Sequence, residues 1–229
     1  MKNTIIKDVF FDLDHTLWDF DKNSELTFES ILNKKHPTIK IKAFIEKYVP
    51  INQACWKLYL YDKITHQELR YNRLKHSFDA LNYTISDEEI ETIAQEYISD
   101  LPENNHLFEG TFEILDYLHK EYNLHIITNG FADVQFKKIN NAKINGYFKT
   151  ITNSEMAGVK KPNSLIFEYA LDLAKAQKET SVMIGDCLEA DVQGALNAGL
   201  QAIYFNANNE EAPENIVQVT HLLQLKNYL

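Results

Sequence analysis

Short apolar runs that end in polar or acidic clusters alternate along this chain with longer amphipathic stretches. Residues 5–13 are apolar except at Lys7, Asp8 and Asp12, the pattern of a central parallel strand covered on both faces. Further strands are predicted at 124–128, 150–152, 182–185 and 202–205, with an edge strand at 217–220 before a closing helix at 221–228. Helical patterns at 111–120, 132–141, 164–176 and 191–198 separate them. Such alternation predicts an α/β architecture, a doubly wound, Rossmann-like parallel sheet.

From about residue 21 to 101 the alternation stops and the pattern is helical throughout, with helices expected at 22–34, 40–61, 66–81 and 87–100. Thr65 with Glu68, and Ser86 with Glu89, have the spacing of capping boxes. Pro50 is expected to kink or split the second helix, because it lacks the N–H that the helix ladder needs. The expected organisation is an α/β core of residues 1–20 and 103–229 interrupted by an all-helical insert at 21–102.

The first strand ends in two carboxylates, Asp12 and Asp14, one residue apart. Close anionic carboxylates repel and resist desolvation, so the pair calls for an offsetting charge, most simply a divalent cation. Aspartate can also attack phosphorus and carry a covalent intermediate. A strand running into an acidic turn is the plainer reading. Three further clusters change the balance: Thr128-Asn129-Gly130, Lys160-Lys161-Pro162, and Gly185-Asp186 with Asp191 five residues beyond. Each follows a short apolar segment and precedes a helical one. A parallel sheet therefore gathers them at the carboxyl ends of its strands, where open α/β folds bind ligands. Thr128 could instead satisfy local backbone, Asn129-Gly130 could be a turn, and Asp191 could favour a helix start through the dipole.

Composition narrows the class. The chain has 229 residues, 45% of them hydrophobic, and a formal net charge of −10. That charge argues against binding a nucleic-acid polymer. No run is long enough to span a membrane, and no apolar leader follows a basic start, so a cytoplasmic protein is expected. Cys55 and Cys187 lie far apart without metal-ligand spacing, in keeping with reduced thiols; Cys187 is expected to pack.

Taken together, Asp12-x-Asp14-x-Thr16, Thr128, Lys161-Pro162 and Gly185-Asp186 with Asp191 resemble, in order, the four motifs of the haloacid dehalogenase superfamily. The segments 127–131 (ITNGF), 154–162 (SEMAGVKKP) and 166–171 (IFEYAL) resemble its pyrimidine 5′-nucleotidase branch. The resemblance implies a Mg²⁺-dependent phosphomonoesterase with Asp12 as nucleophile and Asp14 as general acid and base. It further implies metal ligation by Asp12, Asp186 and the backbone carbonyl of Asp14. Thr128, Asn129 and Lys161 would receive the phosphate, and Asp191 would orient Lys161 or metal-bound water. The Lys-Pro adjacency of the resembled motif implies that Lys161, rather than Lys160, would carry the lysine role. Thr16 would brace the turn.

The same resemblance implies that the helical insert is a mobile cap hinged near 19–22 and 102–110. A nucleoside monophosphate such as UMP, dUMP or dTMP is the implied substrate, handled by a monomer or homodimer. A sugar-phosphate or phosphoglycolate phosphatase, a phosphomutase, and a non-catalytic binding protein are the alternatives. Trp56, Tyr59, Tyr61, Arg70 and Arg73 of the insert could read a base or pack helices, and Trp18 could line the cleft.

Overall fold

The computed structural model describes residues 6–229; Ile5, where the first strand is expected to begin, lies outside the described residues. The chain divides into two compact units, one of them Asp21–Asn104 and the other made of the remaining described residues.

The first unit is carried by α1 (Phe20–Lys35), α2 (Ile41–Leu60), α3 (His66–Ala80) and α4 (Asp87–Asp100). Both expected capping boxes form: the Thr65 hydroxyl accepts from the Glu68 N–H, Glu68 accepts from the Thr65 N–H, and Ser86 with Glu89 does the same. Pro50 does not split α2, which runs unbroken from Ile41 to Leu60. Pro50 and Glu46, whose carbonyl loses its partner, are both exposed, so water can satisfy that group while Phe44, Tyr48, Asn52 and Cys55 anchor the opposite face. The interior is aromatic: the Phe28 ring stacks on Tyr97 at 4.3 Å and meets Tyr48 edge-on at 4.6 Å. Arg73 is buried there, with Nη1 donating to Asn52 Oδ1 and the guanidinium 4.9 Å from the Tyr97 ring centroid. Trp56 and Tyr59 meet edge-on at 5.7 Å and are half-buried, whereas Tyr61 is exposed.

The second unit is built on six parallel strands, β1 (Asp8–Phe11), β2 (Asn123–Thr128), β3 (Phe148–Asn153), β4 (Ser181–Gly185), β5 (Gln201–Phe205) and β6 (Gln218–Val219), in the order β3-β2-β1-β4-β5-β6. The connecting helices are α5 (Thr111–Leu118), α6 (Ala132–Asn141), α7 (Ser154–Ala157), α8 (Ser164–Ala174) and α9 (Gly194–Ala198). Central β1 is buried along its whole length, as its apolar run predicts. Phe10, Ile127 and Met183 from three strands pack with Ile166, Phe167 and Ala170 of α8.

Three segments differ from expectation. The helix at 164–176 stops at Ala174 because Lys175 turns left-handed (φ 54°). The helix expected at 191–198 begins earlier, with a π-helical turn over Leu188–Gln193 that leads into α9, so Asp191 sits inside the turn. The closing segment is a 3₁₀ helix, Leu222–Asn227. A carboxylate also lies at the amino end of β1: Asp8 accepts from Asn123 Nδ2 at 2.8 Å and pairs with His125, far along the strand from the acidic rim.

The strand order reverses beside β1. The chain winds outward through β2 and β3 and then returns to β4 on the other side. Such a switch point opens a crevice at the carboxyl ends of the two strands. Phe11 is in register with Ile184, and the Asp12 N–H donates to the Ile184 carbonyl at 2.9 Å, so Asp12 and Gly185-Asp186 emerge side by side.

Candidate active site

Beyond β1 the chain closes a tight loop. The Leu13 carbonyl accepts from the N–H groups of Leu17 and Trp18 at 2.9 and 2.8 Å, and His15 takes a left-handed conformation, φ 61°. Thr16 braces this loop against the neighbouring strand end, its hydroxyl donating to Asp186 Oδ1 at 3.2 Å.

Lys161 enters from the loop before α8 and is 2% exposed. Its Nζ donates to Asp12 Oδ1 at 2.7 Å and to the Ile127 carbonyl at 2.8 Å, and lies 2.6 Å from Asp191 Oδ1 as an ion pair. Lys160 is only half-buried. The Asn129 side chain clamps the Lys161 backbone, donating to its carbonyl at 3.0 Å and accepting from its N–H at 2.8 Å. That amide is thus occupied in placing the lysine, and what Asn129 can offer a phosphate is its backbone N–H. Thr128 Oγ1 accepts from Gly130 N at 3.1 Å and from Gln135 Nε2 at 2.7 Å. With its lone pairs engaged, the hydroxyl proton is left to donate.

One oxygen each of Asp12, Asp186 and Asp191 lie within 4.8 Å of one another. Asp191 comes this close because residue 185 is glycine: a Cβ there would stand 2.3 Å from the Asp191 carboxylate. Its Oδ2 also accepts from Cys187 N at 3.0 Å within the π-helical turn. Burial, followed by Asp191, raises the Asp186 pKa to about 8. Burial also pushes Asp12 up, aided by Asp191 and Asp186 and opposed by Lys161. Lys161 is raised as well, since Asp12 and Asp191 outweigh the burial that disfavours its charge. One ammonium against three carboxylates leaves surplus negative charge among oxygen-only donors, which fits a divalent cation of the Mg²⁺ type. Burial lifts the Cys187 thiol to about 11, so it is a packing group and cap of the turn, not a nucleophile.

Asp14 stands apart from that cluster. Its Oδ1 accepts from Lys138 Nζ at 2.6 Å and its Oδ2 from Gln135 Nε2 at 2.9 Å. The sequence reading missed both partners. The signal was there: Phe131, Gln135, Lys138 and Ala142 recur at helical spacing on the buried face of α6, so two of its inward positions are polar. Trp18 is fully buried, with the Lys138 ammonium 4.2 Å from its ring centroid, so it supports Lys138 and does not line an open surface.

Fold and rim chemistry define a doubly wound α/β protein with a carboxylate, a buried lysine and an acidic cluster gathered at a switch point. The chain belongs to the haloacid dehalogenase-like hydrolase family, whose pattern it matches over residues 9–205. It is 33% identical over 207 residues to the pyrimidine 5′-nucleotidase PynA of Streptococcus pneumoniae, covering 90% of this chain and 86% of that one. It is 31% identical over 209 residues to the pyrimidine 5′-nucleotidase YjjG of Escherichia coli, covering 91% and 89%. Among solved structures, the HAD-hydrolase YfnB of Bacillus subtilis bound to magnesium superposes with a TM-score of 0.88 at 26% identity, covering 98% of this chain and 99% of that one. No helix among the described residues is long and apolar enough to cross a membrane.

Proposed function

We propose that this protein is a Mg²⁺-dependent phosphomonoesterase that works through an aspartyl-phosphate on Asp12, acting in the cytoplasm on pyrimidine nucleoside monophosphates such as UMP, dUMP and dTMP. The observation that carries the chemistry is the Lys161 ammonium seated between Asp12 and Asp191 beside Asp186. Similarity to two pyrimidine 5′-nucleotidases supports the substrate class.

Asp12, Asp186 and the Asp14 backbone carbonyl would hold the cation, with Asp191 alongside; when bound, it supplies positive charge to phosphate oxygens and screens Asp12 from its substrate. Thr128 donates its free hydroxyl proton, the Asn129 backbone N–H adds a second donor, and Lys161 adds charge where the transition state spreads it. One Asp12 oxygen attacks phosphorus, the ester P–O bond breaks, and its electron pair leaves on the ester oxygen, which takes a proton from Asp14. Water then attacks phosphorus and gives a proton to Asp14. The bond to Asp12 breaks, the carboxylate is restored, and inorganic phosphate is released. We read the helical unit Asp21–Asn104 as the cap domain.

The test is phosphate release with Mg²⁺ across nucleoside monophosphates and sugar phosphates, compared as kcat/KM. A preference for UMP, dUMP or dTMP is expected, and a preference for sugar phosphates would overturn the substrate assignment. Asp12→Asn should abolish turnover in a folded protein; unchanged turnover would overturn the mechanism.

A further inference from the structure

We infer that Gln135 and Lys138 are positioning residues that lock the proposed acid–base residue Asp14 and the proposed phosphate donor Thr128 into one arrangement. The inference rests on the phosphatase reading and adds to it two residues outside the four motifs.

Gln135 has one side-chain NH₂ group with two hydrogens, and both are used. Nε2 lies 2.9 Å from Asp14 Oδ2 and 2.7 Å from Thr128 Oγ1. A single amide therefore ties the loop after β1 to the end of β2. The bond to Thr128 has a second effect. Together with Gly130 N it saturates the acceptor side of the hydroxyl, which points the remaining hydrogen away from the protein's own donors. Gln135 thus sets where Asp14 sits and which way Thr128 donates.

Lys138 fixes the other Asp14 oxygen. Its Nζ is 2.6 Å from Oδ1, and the ammonium lies 4.2 Å from the Trp18 ring centroid and 5.2 Å from that of Phe20. A carboxylate and two ring faces hold the charge, and Trp18 is itself fully buried. With one donor on each oxygen, the plane of the Asp14 carboxylate is set. Each oxygen keeps a second lone pair for the proton that it takes and hands on.

An independent observation supports this arrangement. Gly130 is not in a left-handed conformation, so backbone freedom does not explain it. A Cβ at 130 would stand 2.4 Å from both Cδ and Nε2 of Gln135. The glycine that follows Thr128 and Asn129 leaves the space in which the Gln135 amide lies. Gln135 and Lys138 are 1% and 2% exposed. Polar groups this deep on an otherwise apolar helix face need partners to offset their desolvation, and their partners are the two proposed catalytic groups.

First-turnover kinetics test the inference. Phosphoryl transfer from UMP expels an alkoxide that needs the Asp14 proton; transfer from p-nitrophenyl phosphate expels a phenolate that needs little help. Wild-type turnover of UMP with Mg²⁺ is measured first. Its absence counts against the nucleotidase reading, and the comparison is then run with an alkyl sugar phosphate that wild type hydrolyses. In Lys138→Met the first-turnover rate on the alkyl ester should fall about 100-fold, within the range that a general acid supplies, while that on p-nitrophenyl phosphate changes about threefold or less; Gln135→Leu, which also releases Thr128, should slow both esters, the alkyl ester by at least about tenfold more. KM should stay within about twofold for Lys138→Met, and Lys138→Arg should recover at least about tenfold of the loss. Equal losses on both esters would mean a merely structural role and would overturn the inference, as would no loss on either. If Lys138→Met does not fold, Lys138→Arg and Gln135→Leu decide the matter by the same ratio.

Discussion

Lys161 Nζ and Asp12 Oδ1 lie 2.7 Å apart although their residues are 149 positions apart in the chain. The lysine is 2% exposed and also faces Asp191, so it meets two carboxylates away from bulk water. Removing one partner of a buried pair leaves the other uncompensated, at a cost of about 3–5 kcal/mol. Lys161→Met is therefore expected to destabilise the protein by about that amount in urea unfolding. It should also lower kcat by about 100-fold or more, as losing a preorganised donor does elsewhere. Unaltered kcat would remove Lys161 from the reaction.

Asp186 gives a prediction that does not depend on turnover. Its pKa is pushed to about 8 by burial and by Asp191, a sign of crowded negative charge. Mg²⁺ should raise the melting temperature of the wild-type protein, by about 2.7 kcal/mol of stabilisation at a hundred times its Kd. In Asp186→Asn the metal-free protein should melt no lower than wild type, and the Mg²⁺ response should shrink. A wild-type melting temperature that does not respond to Mg²⁺, or an equal response in Asp186→Asn, would contradict the cation assignment.

Gly185→Ala probes close approach rather than chemistry. The new methyl would stand 2.3 Å from the Asp191 carboxylate, which must move and take its contact with Lys161 with it. A loss of about 1–3 kcal/mol of stability is expected from overpacking of this kind, together with reduced kcat. Calorimetry and steady-state kinetics on the same sample check both.

Acid should weaken the helical unit before its carboxylates protonate. Burial, then Arg70 and Arg73, depresses the His66 pKa to about 4 from an ordinary 6.5. The unfolded chain takes up this proton near pH 6.5, whereas the folded protein does so only near pH 4. Stability from this group is therefore complete above pH 6.5 and is lost progressively as pH falls toward 4. Denaturation midpoints at pH 7 and pH 5 should differ less in His66→Gln than in wild type; an equal difference would assign the acid sensitivity elsewhere.

Much of this architecture was legible in the residues. The apolar run of β1, the strand–helix alternation and the two capping boxes act locally, through burial pattern and short-range hydrogen bonds. Asp12, Asp186 and Lys161 could be expected on one rim because parallel strands bring their carboxyl ends together. Pro50 does not split α2, because the backbone that loses its partner there is exposed and water can satisfy it. Gln135 and Lys138 went unseen because, one residue at a time, a glutamine and a lysine on a helix look like solvent-facing positions.

By itself, then, the sequence determined which segments become strands and helices, where the chain leaves and rejoins the sheet, and which polar clusters reach its carboxyl rim. Those properties follow from periodicity and chain order. Tertiary structure alone decided that Asn129 clamps the Lys161 backbone, that Asp191 reaches Lys161 past a missing Cβ at residue 185, and that Asp14 is held by Lys138 and Gln135. Each of these depends on the direction and separation of side chains from different elements to within a few tenths of an ångström. Packing sets those distances, and no local pattern encodes them.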